Sequence, residues 1–162
     1  MGMTDDDMEM MKAASVARGE VINAMTILEK IIDTFLSHHF CSSMELRNEI
    51  LDCLFASKKI TFENKRALLK QVLDRHHKEY RNTHLPNIHA QLGKFNDYRN
   101  EVAHFAIDPS DSAVKNFKET GGITLLKFEN SKETVIYTPK KVKEISEEIY
   151  KVIEPLAILI KK

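Results

Sequence analysis

The chain has 162 residues, 24 Lys+Arg against 24 Asp+Glu, 43% hydrophobic residues and 7% aromatic ones. That length suggests one domain with an aliphatic core, and the composition excludes disordered, collagen-like and disulfide-dense classes. Five glycines and four prolines are too few to punctuate an all-β fold, so helix is favoured.

Residues 1–11 are expected to form a disordered acidic leader, and residues 12–162 a single helical domain. The first twelve residues carry four acids and no apolar stretch of the secretory kind. Asp6 stands where a myristoylation motif has Ser or Thr. From 12 to 40 the residues Val16, Val21, Met25, Leu28, Ile32 and Phe35 recur at helical spacing, with Ile31, Leu36 and Phe40 widening the stripe. Ser42 and Glu45 have the form of a capping box for a second helix carrying Leu46, Ile50, Leu51 and Leu54 to about Ala56. Thr61 is placed to cap a third helix over 62–82, whose stripe is Phe62, Leu68, Leu69, Val72 and Tyr80. Pro86 fits the first turn of a fourth helix with Ile88, Leu92, Phe95, Tyr98 and Val102 on its apolar face.

Beyond His104 the pattern changes. Asp108-Pro109-Ser110-Asp111 marks a turn, followed by one or two helical turns through Val114 and Phe117 that Gly121-Gly122 ends. Residues 123–128 and 134–138 are β-branched and aromatic, and about five polar residues separate them, which predicts a β-hairpin inserted at about 123–138. Thr138-Pro139 begins a last helix with Val142, Ile145, Ile149, Val152, Ile153 and Leu156 on one side. The expected fold is all-α, an antiparallel bundle of about five helices with a small β-hairpin before the last one.

Chemistry is sparse. No glycine-rich phosphate loop and no Gly-x-Ser-x-Gly elbow can be written. His38-His39-x-Cys41 and His76-His77 lack the i, i+3 or i, i+4 spacing that aligns metal ligands on a helix, so no metal and no cofactor is expected. Cys41 and Cys53 cannot build a disulfide framework, which points to a reduced, cytoplasmic setting, and no apolar run approaches the roughly 20 residues that cross a bilayer. Residues 58–81 hold eight Lys/Arg against three acids, a local balance of +5. This stretch is either a solvated helix face or a surface that attracts phosphate, with Lys65, Arg66, Lys70 and Arg75 as candidate contacts to an RNA backbone.

The informative stretch closes the fourth helix: Tyr98-Arg99-Asn100-Glu101-Val102-Ala103-His104-Phe105. Asn100 and His104 are four apart and share a helix face, while Arg99 is offset by about 100°. His104 sits at the helix C-terminus, where the dipole favours a cation. A guanidinium, a carboxamide and an imidazole without a nucleophile suit phosphoryl chemistry better than acyl transfer. A purely structural reading makes His104 a terminal cap interacting with Glu101.

The string Arg-Asn-x-x-Ala-His on a late helix resembles the signature of the HEPN superfamily (higher eukaryotes and prokaryotes nucleotide-binding). Phe62-x-x-Lys65-x-x-Leu68-Leu69 is similar to an earlier helix of uncharacterised bacterial relatives, and the likeness extends over about residues 15–105. The hairpin lies outside it. The resemblance implies a homodimer with metal-independent endoribonuclease activity, a toxin or phage-defence component that cleaves RNA by 2′-OH attack. His104 would then be the general acid or base, Arg99 would stabilise charge on the transition state, and Asn100 would hold the phosphate or orient the imidazole. The same family includes non-catalytic dimers that act as interaction modules beside an antitoxin or a nucleotidyltransferase.

Overall fold

A computed structural model describes residues 4–57, 59–127 and 133–161. Of these, 78% are helical, in seven α-helices with a small three-stranded antiparallel sheet ahead of the last one. The chain is thus all-α with a hairpin, as its periodicity predicts. In order the elements are α1 (Asp5–Phe40), α2 (Met44–Ile50) continued by a π-helical turn (Leu51–Phe55), α3 (Phe62–His76), α4 (Lys78–His84), α5 (Ile88–His104), β1 (Ala106–Ile107), α6 (Asp111–Thr120), β2 (Ile123–Leu126), β3 (Thr134–Tyr137) and α7 (Pro139–Ile160). Residues 1–3 of the expected leader, Lys58 and the hairpin connection at 128–132 lie outside the described residues.

The chain forms two compact units. Met1–Ala24 and Asp97–Glu148 make the first, Met25–Asn96 and Ile149–Lys162 the second. Each draws on segments far apart in sequence, because α1, α5 and α7 contribute one stretch to each.

In the first unit α1 begins at Asp5, seven residues ahead of the expected start, so 5–11 are helical where a disordered leader was expected. Thr4 and Asp7 explain this. The Asp7 amide donates to Thr4 Oγ1 at 3.2 Å and the Thr4 amide to Asp7 Oδ2 at 2.8 Å, a reciprocal cap on a first turn whose three acids suit the helix dipole. Met10, Ala14 and Val21 are buried, but Val16 is 62% exposed and belongs to no core stripe. The sheet order is β1-β2-β3, with Ile123 opposite Tyr137 and Leu125 opposite both Val135 and Ile107. β1 was not anticipated: two residues after a helix carry no period of their own. α6 is capped by Ser110, which accepts from Ala113, and ends at Gly121, whose φ of 68° is the left-handed conformation glycine adopts without a Cβ penalty.

In the second unit Leu28, Ile32, Phe35 and Leu36 of α1 are buried, together with Phe62, Leu69, Val72 and Leu73 of α3. Ser43, rather than Ser42, caps α2 by accepting from Leu46. No residue of α2 is buried, and Phe40, Leu46 and Leu54, expected in the core, are exposed. Thr61 caps α3 in a full capping box with Asn64. The predicted 62–82 helix breaks at His77, whose φ of −134° leaves the helical region while its ring packs edge-on to Phe35 at 5.7 Å. α5 starts at Ile88 rather than at Pro86, since Asn87 has a φ of 60°, a left-handed conformation that Asn tolerates.

Candidate functional site

The Arg99–His104 segment is the last turn and a half of α5, in the first unit. Its orientation follows from the inward residues. Val102 is fully buried, and Glu101 accepts a hydrogen bond from the Tyr137 hydroxyl at the end of β3. Asn100, Ala103 and His104 lie on the opposite side of the helix and are exposed, while Arg99 lies between the two faces and is half-buried. The structure therefore brings Asn100 and His104 together on one solvent face, one turn apart, with Arg99 about 100° round the helix axis.

The end of the helix is secured by contacts that local reading misses. Arg18 of α1 donates from Nη2 to the Phe105 carbonyl at 2.7 Å, satisfying an acceptor just past the helix end. The Lys141 ammonium sits 4.1 Å from the Tyr137 ring centroid and 6.0 Å from that of Tyr98, and donates to the Ile136 carbonyl at 3.2 Å. Burial, and then the Glu101 carboxylate it donates to, push the Tyr137 phenol far above its ordinary pKa, so it remains a donor. Glu101 thus turns to Tyr137 rather than acting as the His104 partner that a cap would need. The sequence held one hint of this: a carboxylate three residues before the helix end, on the same face as the half-buried Tyr98.

The basic stretch lies in the second unit and is largely neutralised by the fold. Lys65 is 3% exposed, with its ammonium 2.7 Å from Glu29 Oε1 and 2.8 Å from Asp33 Oδ2. Burial alone would pull its pKa down, but the two carboxylates outweigh it and hold the group charged. It is an internal ion-pair residue, not an RNA contact. Arg66 pairs with Glu63 at 2.5 Å and donates to the His89 carbonyl at 3.3 Å. Its Nη1 lies over Gly93, 2.2 Å from where a Cβ would stand, so the guanidinium is packed against α5. Lys70 pairs with Asp74 at 2.5 Å, and Arg81 reaches the same carboxylate at 3.0 Å. Of the four candidates, Arg75 alone is exposed with no carboxylate partner among the described residues. Glu63 and Asp74 lie close in sequence to the cations they meet, but the pairing of Lys65 with Asp33 and Glu29, 32 and 36 positions away, was not legible there.

Among the described residues no group of three or more His, Cys, Asp or Glu is arranged to hold a metal ion. Nor is any described helix long and apolar enough to cross a membrane. No family model, curated protein or solved structure matches the chain.

Proposed function

We propose that the chain is a metal-independent endoribonuclease of the HEPN type, working as a homodimer in the cytoplasm. The observation that supports this reading best is the shared exposure of Asn100 and His104 on one face of α5, with Arg99 beside them. In this scheme the 2′-hydroxyl of the RNA attacks the adjacent phosphorus. The P–O2′ bond forms, the P–O5′ bond breaks, and His104 takes the 2′ proton or delivers one to the departing 5′ oxygen. Arg99 stabilises the charge that builds on the equatorial oxygens, and Asn100 holds the phosphate. The nucleophile belongs to the substrate, which restricts the reaction to RNA.

The test is incubation of purified protein with RNA in EDTA, reading the chemistry of the new ends. The expected products carry 2′,3′-cyclic phosphate and 5′-hydroxyl. His104→Ala should abolish cleavage and Arg99→Ala should slow it by about 10²–10³-fold, as expected for a lost transition-state donor. Absence of cyclic ends, or an active His104→Ala protein, overturns the assignment.

The neutralised basic helix favours a second reading, a non-catalytic interaction module partnering an antitoxin or a nucleotidyltransferase. It predicts that His104→Ala alters dimer content on a sizing column while no nuclease activity exists to lose.

A further inference from the structure

In the second unit the end of α1 carries His38 and His39, and the α3–α4 junction brings His76 and His77 against His39. The His39 ring centroid lies 4.7 Å from that of His76 and 6.1 Å from that of His77. Beside these rings opens a cleft of about 470 Å³, within the range of small-molecule sites. Its polar wall is His38, His39, His77 and Arg47, and its apolar floor is Phe35, Leu159 and Ile160. Among the described residues no carboxylate lines it. Phe40, 54% exposed, meets His39 edge-on at 4.9 Å.

The wall is built for an anion. Arg47 Nε donates to the Cys41 carbonyl at 2.9 Å, which fixes the guanidinium plane, and its remaining N–H groups sit on the terminal nitrogens. The carboxyl end of α1 contributes roughly half a negative charge, so Arg47 alone leaves the cleft weakly positive. Each imidazole that takes a proton adds a full charge and a second N–H donor. Burial holds His38, His39 and His77 below the usual histidine pKa. The positive groups acting on them add to this, Arg47 on His38, His76 and His77 on His39, and His76 on His77. A bound anion offsets that repulsion, so anion binding and proton uptake are linked. Donors arriving from α1, α2 and the α3–α4 junction suit the three peripheral oxygens of a tetrahedral phosphate better than the two coplanar oxygens of a carboxylate.

We propose that this cleft is a binding site for a small phosphomonoester carrying an aromatic or apolar group. The phosphate faces Arg47 and the imidazoles, and the apolar part covers Phe35, Leu159 and Ile160. The site lies outside the Arg99–His104 segment and does not depend on the nuclease reading.

The test is NMR of the histidine ring resonances in the full chain, titrated with phenyl phosphate at about pH 6 and about pH 8, either side of the ordinary imidazole pKa. Saturable shifts of the His38, His39 and His77 rings are expected, and no saturable shift at millimolar probe overturns the site. Phenyl sulfate has no proton to lose in this range and isolates the contribution of the protein. It should bind about tenfold tighter at the lower pH for one linked proton, and equal affinity at both overturns the histidine role. Inorganic phosphate, which leaves the floor uncovered, should bind about tenfold more weakly than phenyl phosphate. Equal binding overturns the apolar half of the proposal. A His38→Gln/His77→Gln protein with an otherwise unchanged amide spectrum should lose at least about tenfold in affinity, and retained affinity refutes the assignment. The wild-type titrations decide the matter if that protein does not fold.

Discussion

Replacing Tyr137 with Phe removes one oxygen from a ring that is 1% exposed and leaves its volume in place. What is lost is the hydroxyl's bond to Glu101, which holds the end of β3 to the last turn of α5. A hydrogen bond to a charged acceptor contributes about 1.5–3 kcal/mol, and water can reach the half-buried Glu101. The expected loss is therefore about 1–2 kcal/mol, or a fall in Tm of roughly 2–8 °C for a chain of this size. Urea unfolding should show a lower midpoint with an unchanged slope. Glu101→Gln keeps an acceptor oxygen and should cost less, about 0.5–1 kcal/mol. The double variant should show a coupling of about 1 kcal/mol, since both groups serve one contact. Additive losses, or a Tyr137→Phe protein within about 0.5 kcal/mol of the parent, would show that this bond does not anchor the segment.

Other substitutions probe the remaining devices. Lys65→Met leaves Glu29 and Asp33 without their cation. With Glu29 about a third exposed, the loss should be about 2–4 kcal/mol in urea unfolding, below the range for a wholly buried pair. Adding Asp33→Leu should recover part of it, and a double variant no more stable than the single one argues against the pairing. Gly121→Ala puts a Cβ on a residue at φ 68°, and should cost about 1–2 kcal/mol by the same assay; no loss would mean the backbone relaxes freely there. His38, His39 and His77 bind protons more weakly folded than unfolded. Their contribution is complete above the unfolded-state value of about 6.5 and declines as pH falls below it toward the folded-state values. Urea midpoints should therefore drop between about pH 7.5 and about pH 5.5. The slope should flatten in the His38→Gln/His77→Gln protein, and an identical slope would assign the pH dependence to other groups.

Particular residues show where reading the chain succeeded and where it stopped. Thr61 and Gly121 mark a helix start and a helix end correctly, because a cap acts within four residues. The choice between Ser42 and Ser43 failed at that same scale, since both offer a hydroxyl and only the chain direction after Cys41 selects one. The break at His77 has no glycine or proline to announce it. Val16 faces solvent because a step of five residues to Val21 turns it about 140° round the helix, off the buried stripe that runs through Ala14, Ala17 and Val21. At the candidate site the shared face of Asn100 and His104 followed from the four-residue spacing, and the packing of Val102 and Glu101 decided that this face is exposed.

Sequence alone determined the helical class, several of the helix starts and ends, the hairpin strands and the common face of Asn100 and His104. All of these depend on interactions between residues only a few positions apart. Tertiary structure decided which cations are available and what holds the end of α5. Lys65 meets Asp33 and Glu29 at separations of 32 and 36 residues, and Tyr137 meets Glu101 across 36. Such pairs form only where the packed chain brings distant segments together, and neither periodicity nor capping chemistry encodes which acid a given cation will meet.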